Sequence, residues 1–251
     1  MSEALFAPGE EGTDHAAHLA VGDVMLVLGD SLAVGIGAGH ISEGAMALVA
    51  SRLAVRRPGL TMMNLAIPSE GSCSMLAPGG QLDRAVEAIR GAHERGERVG
   101  PVTLSLGAND SIESAMLGEL EAFRRFGENL ETILTRLDTA LAGQSDGIDG
   151  VLCMQTFYNP FPACEADPTL PPPDQLAPRR ARTIDFNTAI RTAAARRGVR
   201  LADIETAFRG RECELTWLRS GDIHPNASGQ GVMCDAFMTS GGWESHGGAP
   251  L

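Results

Sequence analysis

Three short segments carry side chains suited to polar chemistry. The first, Gly29-Asp30-Ser31-Leu32, directly follows the apolar run VMLVL. A serine at a tight strand-to-helix turn presents its hydroxyl at the edge of a sheet, beside the N–H groups that open the helix. The same residues also suit a simple helix cap at Asp30 or Ser31. The second, Gly107-Ala108-Asn109-Asp110, follows VTLSL. An Asn amide at a strand end can donate to a developing oxyanion, although the composition also reads as a plain turn. The third, Gly221-Asp222-Ile223-His224-Pro225-Asn226, holds a His fixed by a following Pro, with an acid close by. Alone it also suits a surface loop. Together the segments supply a nucleophile, an oxyanion donor, and a base with an orienting group.

These segments need a scaffold that brings them together. Apolar runs at Val24–Leu28, Leu60–Ala66, Val102–Leu106, Val151–Phe157 and Val199–Ile204 predict five strands. Helical stretches lie between and after them, at Ile41–Leu53, Gln81–Arg95, Ser114–Leu141, Thr183–Arg197 and Gly229–Thr239. In the long 114–141 stretch, Met116, Leu120, Phe123, Phe126, Leu130, Ile133, Leu137 and Leu141 mark one face at three- and four-residue spacing. Near-continuous apolar strands alternating with helices imply a parallel sheet covered on both sides. The expected fold class is α/β, a three-layer α/β/α doubly wound (flavodoxin-like) domain with a mostly parallel five-stranded sheet. Residues 1–22 read as a flexible N-terminal arm and 23–251 as the domain. In such sheets, sites gather at the carboxyl ends of the strands, where all three segments fall.

The blocks VLGDSLAVG, LGANDS and DIHPNASG, in that order, resemble those of the SGNH hydrolases, the GDSL-type lipase-esterase family. Asn64-Leu65-Ala66-Ile67-Pro68-Ser69-Glu70-Gly71 is similar to the family's second block, and Tyr158-Asn159-Pro160-Phe161 to a stretch common after its fourth strand. The resemblance spans residues 24 to 231. It implies that Ser31 attacks an ester carbonyl, that His224 moves the proton, and that the Asn109 amide and the Ser31 backbone N–H bind the oxyanion. There are two departures. The family's second-block Gly falls at Ser69; if that position needs positive φ, Ser is strained and Gly71 is the alternative donor. The family's acid, three residues before the His, falls at Gly221. Either Asp222 orients His224, or a backbone carbonyl does so in a Ser-His dyad.

The resemblance also sets the functional expectations. The first is hydrolysis of carboxylic esters, lipid-like or small-molecule with a short or medium acyl chain, through a covalent acyl-enzyme. The alternatives are a carbohydrate acetylesterase or acyltransferase with the same nucleophile, and a non-catalytic binding protein on the same fold. Leu32, Met75, Tyr158 and Phe161 are expected pocket walls, and the Pro-rich stretch from Pro160 to Pro178 a flap over them.

Composition narrows the partners. The net charge is −12 and every one of the 20 basic residues is Arg, with no run long enough to track phosphates, so nucleic acid and anionic membranes are poor partners. No apolar run approaches the roughly 20 residues that span a bilayer. Cys73, Cys153, Cys164, Cys213 and Cys234 are odd in number and lack CxxC spacing, and His15, His18, His40, His93 and His246 show no ligand spacing. No metal and no cofactor is expected. Gly35-Ile36-Gly37-Ala38-Gly39 lies too far past the strand for a dinucleotide fingerprint and reads as helix-loop packing. The N-terminus lacks a basic region followed by an apolar core, so a cytoplasmic location is expected.

Overall fold

The computed structural model describes residues 20–117, 119–142, 147–159 and 173–243. Five strands, β1 (Val24–Gly29), β2 (Thr61–Asn64), β3 (Val99–Ser105), β4 (Leu152–Gln155) and β5 (Arg200–Ala202), form an all-parallel sheet in the order β2-β1-β3-β4-β5. β1, β3 and β4 are buried along their whole length, which is why their sequences are mostly apolar, with Thr103, Ser105 and Gln155 as buried polar exceptions. Edge strand β2 is exposed instead.

The helices among the described residues are α1 (Ser31–Val34), α2 (Ala45–Arg56), α3 (Ser72–Met75), α4 (Gln81–Glu94), α5 (Ala108–Leu117), α6 (Glu119–Leu141), α7 (Gly147–Val151), α8 (Pro173–Arg197), α9 (Ile204–Phe208), α10 (Glu212–Leu215) and α11 (Ala227–Ser240). α2 packs on α11, while α4, α6 and α8 pack in succession, so the sheet has helices on both faces. Leu82, Ala85, Ile89 and Ala92 of α4 are buried at helical spacing, as are Phe126, Leu130, Ile133, Leu137 and Leu141 of α6. This is the expected three-layer, doubly wound architecture. From β1 the chain moves outward to β2 and then back to β3 on the other side, so the strand order reverses at β1/β3 and leaves a crevice at their carboxyl ends.

Several boundaries differ from expectation. β3 begins at Val99, earlier than 102, because a register shift opposite Val24–Leu26 absorbs Pro101, which cannot donate to the ladder. The 114–141 helix is two helices, and Leu120 near their junction is 83% exposed and not on the buried face. α8 starts at Pro173, a position where a missing N–H is harmless, and runs through Pro178. Residues 20–22 of the expected arm are docked, with Ala20 N–H donating to Gly150 O and Gly22 N–H to Gly100 O. Cys213 is disulfide-bonded, whereas Cys73, Cys153 and Cys234 are free. No helix among the described residues is long and apolar enough to cross a membrane.

Candidate active site

The first segment turns sharply where β1 ends. Gly29 has φ 130°, and a Cβ there would lie 2.1 Å from Ser105 O, so no other residue fits. Asp30 is the cap of α1: its carboxylate accepts the Leu32 N–H (3.0 Å) and the Ser105 hydroxyl (2.8 Å), and Gln155 Nε2 donates to Ser105 Oγ (2.7 Å). Burial pushes the Asp30 pKa up to about 6, against the pull of these hydrogen bonds. Because Asp30 does the capping, Ser31 opens the helix with its hydroxyl making no hydrogen bond among the described residues.

The second and third segments frame the same turn. Asn109, in the first turn of α5, donates one amide hydrogen to Glu70 O (2.9 Å), which fixes the amide and leaves its other hydrogen free. Ser69 has φ 65°, so the position does take positive φ and Ser is strained there, and its backbone N–H makes no hydrogen bond among the described residues. Gly71 has not taken over: its backbone is extended, and its N–H is already bonded to Ser74 Oγ (3.0 Å).

His224 sits on a tightly anchored loop. Its carbonyl accepts the Trp217 N–H (3.0 Å), Tyr158 OH donates to Ile223 O, and Thr216 bridges Pro225. Asn226 caps α11 and donates to Glu214 O (2.7 Å). Gly37, at φ 91°, is the reason for the Gly-rich tract: a Cβ there would lie 2.3 Å from Pro225 O and 3.0 Å from His224 Cβ. Buried Gln230 ties the two loops further, accepting the Ala45 N–H (2.9 Å) and donating to Ile36 O (3.0 Å). Asp222, not a backbone carbonyl, holds the imidazole, with Oδ1 at 2.5 Å from Nδ1.

Ser31, Asn109 and His224 line one cleft, with Leu32 and Tyr158 as walls. Ala108, Ile112, Phe157 and Ile223 also line it and were not anticipated. Ile112 was legible in principle, one helical turn beyond Asn109. Met75 is not a wall; it is fully buried in the core beneath α3, because the apolar side of this one-turn helix faces inward. Phe161, like most of the expected flap, lies outside the described residues. Among the described residues no group of three or more His, Cys, Asp or Glu side chains is arranged to hold a metal ion.

The match to a family model settles the relationship: residues 27–232 fit that of the GDSL-like lipase/acylhydrolase family. The chain belongs to this family. The match contains all three site segments and ends inside α11, so the cleft lies within the region that defines the family. No curated protein matches the chain. Among solved structures, the fold resembles that of the acetylxylan esterase Axe2 from Geobacillus stearothermophilus, with TM-score 0.62, 16% identity, and 90% of this chain and 97% of that one covered. Axe2 variants at a serine, an aspartate and a histidine are described as catalytic mutants. It also resembles LAE5, an alpha/beta hydrolase enzyme from the metagenome of Lake Arreo, Spain, with TM-score 0.58, 21% identity, and 87% and 94% covered.

Proposed function

We propose that this hydrolase is a serine esterase cleaving small carboxylic esters through a covalent acyl-enzyme. One observation carries the reading: the unengaged Ser31 hydroxyl, the Asp222-bound His224 ring and the half-free Asn109 amide border a single cleft. With Nδ1 held by Asp222, Nε2 is the ring nitrogen left to take the Ser31 proton. Ser31 Oγ adds to the ester carbonyl, and the negative oxygen is received by the Asn109 amide with the backbone N–H groups of Ser31 and Ser69. His224 then protonates the leaving alkoxide. Water, deprotonated by His224, attacks the acyl-Ser31 carbonyl, and collapse releases the acid and restores the serine.

The cleft favours short acyl groups. Its cavity volume is only about 30 Å³, which suits an acetyl group better than a long chain. That size, together with the resemblance to an acetylxylan esterase, supports a second reading in which the ester is an O-acetyl group on a carbohydrate. Hydrolysis of 4-nitrophenyl acetate, butyrate and decanoate alongside acetylated xylo-oligosaccharides tests both. The acetyl ester should be the best chromogenic substrate; equal rates on acetate and decanoate contradict the reading. Acetate release from the sugar decides for the second version.

A further inference from the structure

Behind the cleft lies a buried polar group that the reaction scheme above does not use. Gln81, the first residue of α4, is fully buried, and all of its side-chain hydrogen-bonding groups serve one purpose. Its Oε1 accepts the Gly29 N–H (2.5 Å) and its Nε2 donates to Gly29 O (2.9 Å), clasping both backbone groups of the residue two before Ser31. The remaining Nε2 hydrogen reaches Glu70 Oε2 (2.9 Å). Glu70, only 4% exposed, also accepts the Ser74 hydroxyl, and its backbone carbonyl holds the Asn109 amide. Its chain neighbour is Ser69, the strained residue with the free N–H.

We infer that Gln81 and Glu70 are positioning residues which lock the three proposed oxyanion donors into one frame, an inference that rests on the serine-esterase reading. The Gln81 side chain clasps the turn before Ser31 and meets the Glu70 side chain, and the Glu70 backbone carbonyl holds the Asn109 amide, so two adjoining residues link loops that are otherwise separate. The role is geometric. No Arg or His pairs with Glu70 among the described residues, and an unpaired carboxylate behind a developing oxyanion opposes that charge. The frame needs an acceptor for Gln81, not the negative charge, and a glutamine at position 70 can supply that acceptor.

Steady-state kinetics of the full chain test this, with thermal melts of every variant. Gln81→Ala and Glu70→Ala should each lower kcat about 10- to 100-fold with KM nearly unchanged, the scale of a misplaced reacting group. Glu70→Gln should stay within about threefold of wild type, since only geometry is required. In an Asn109→Ala background the Gln81→Ala loss should shrink at least about fivefold, because part of what it misplaces is already gone. If Gln81→Ala does not fold, Glu70→Ala against Glu70→Gln decides alone. Equal losses in both backgrounds, an unchanged kcat, or a Glu70→Gln variant as slow as Glu70→Ala overturns the inference. Ser31→Ala separates the two levels: activity that survives it defeats the esterase reading and the frame with it, whereas activity lost in Ser31→Ala but retained in Gln81→Ala defeats the frame alone.

Discussion

The Asp222 carboxylate grips His224 twice across a single intervening residue, at ring Nδ1 (2.5 Å) and at the backbone N–H (3.0 Å). Gly221, left-handed at φ 80° after a short 3-10 turn, redirects the chain so that the acid can reach back. An acid two residues before the histidine thus contacts the ring nitrogen that the resemblance assigned to one three residues before it. Partial burial pushes the Asp222 pKa up, but the two bonds from His224 outweigh it and hold the carboxyl below its ordinary range. A depressed pKa keeps this grip intact above the ordinary carboxylate range and releases it only as pH falls through the lowered value.

Asp222→Asn keeps the size but loses the charge and the correct tautomer. It should lower kcat by about 10²–10⁴ with little change in KM, the scale known for such orienting acids. Stopped assays at neutral pH measure this. A loss under about threefold would leave His224 without need of its orienter.

Asn109→Ala removes an oxyanion donor and should cost about 10²–10³ in kcat. It also strands the Glu70 carbonyl, a stability loss of about 1 kcal/mol visible in urea unfolding. Loss of stability with kcat intact would make Asn109 purely structural.

Ser69 carries positive φ with a side chain, and its proposed contribution is a backbone N–H. Ser69→Gly should therefore retain kcat within about threefold and gain about 0.5–1 kcal/mol, strain relief less the added chain entropy. A tenfold activity loss would mean that the hydroxyl matters.

The core was readable because buried parallel strands are predominantly apolar, and β1 and β4 came through with small boundary errors. β3 was cut short by Pro101, whose accommodation depends on a bulge opposite β1 that no local pattern reveals. The convergence of Ser31, Asn109 and His224 on one cleft was legible only from the three segments taken together, because each alone also suits a cap, a turn or a surface loop as a local pattern. Met75 was misread because a single helical turn gives no periodicity from which to judge its direction. Gln81 and Glu70 were invisible: a Gln at a helix start and a Glu in a loop suggest solvent, and only the fold brings Gly29 against Gln81 and Gln81 against Glu70.

Asp30 is the buried carboxyl whose pKa is raised to about 6. Its folded-state value lies above its unfolded one, so the stability it confers is present below the unfolded value and lost as pH rises through about 6. Asp30→Asn keeps the cap and the Ser105 contact without the charge. It should gain up to about 3 kcal/mol at pH 8, a gain that fades as pH falls from about 6 to about 4. Urea unfolding across this range measures it; an Asn variant less stable at pH 8 contradicts it.

The central claim is that Ser31 is the nucleophile, activated from the same cleft by His224. Labelling with a fluorophosphonate, followed by peptide mass spectrometry, tests it directly. A single adduct on Ser31, absent in Ser31→Ala and strongly slowed in His224→Ala, is the predicted result. An unlabelled wild type, or an adduct on another residue that persists in Ser31→Ala, would contradict it.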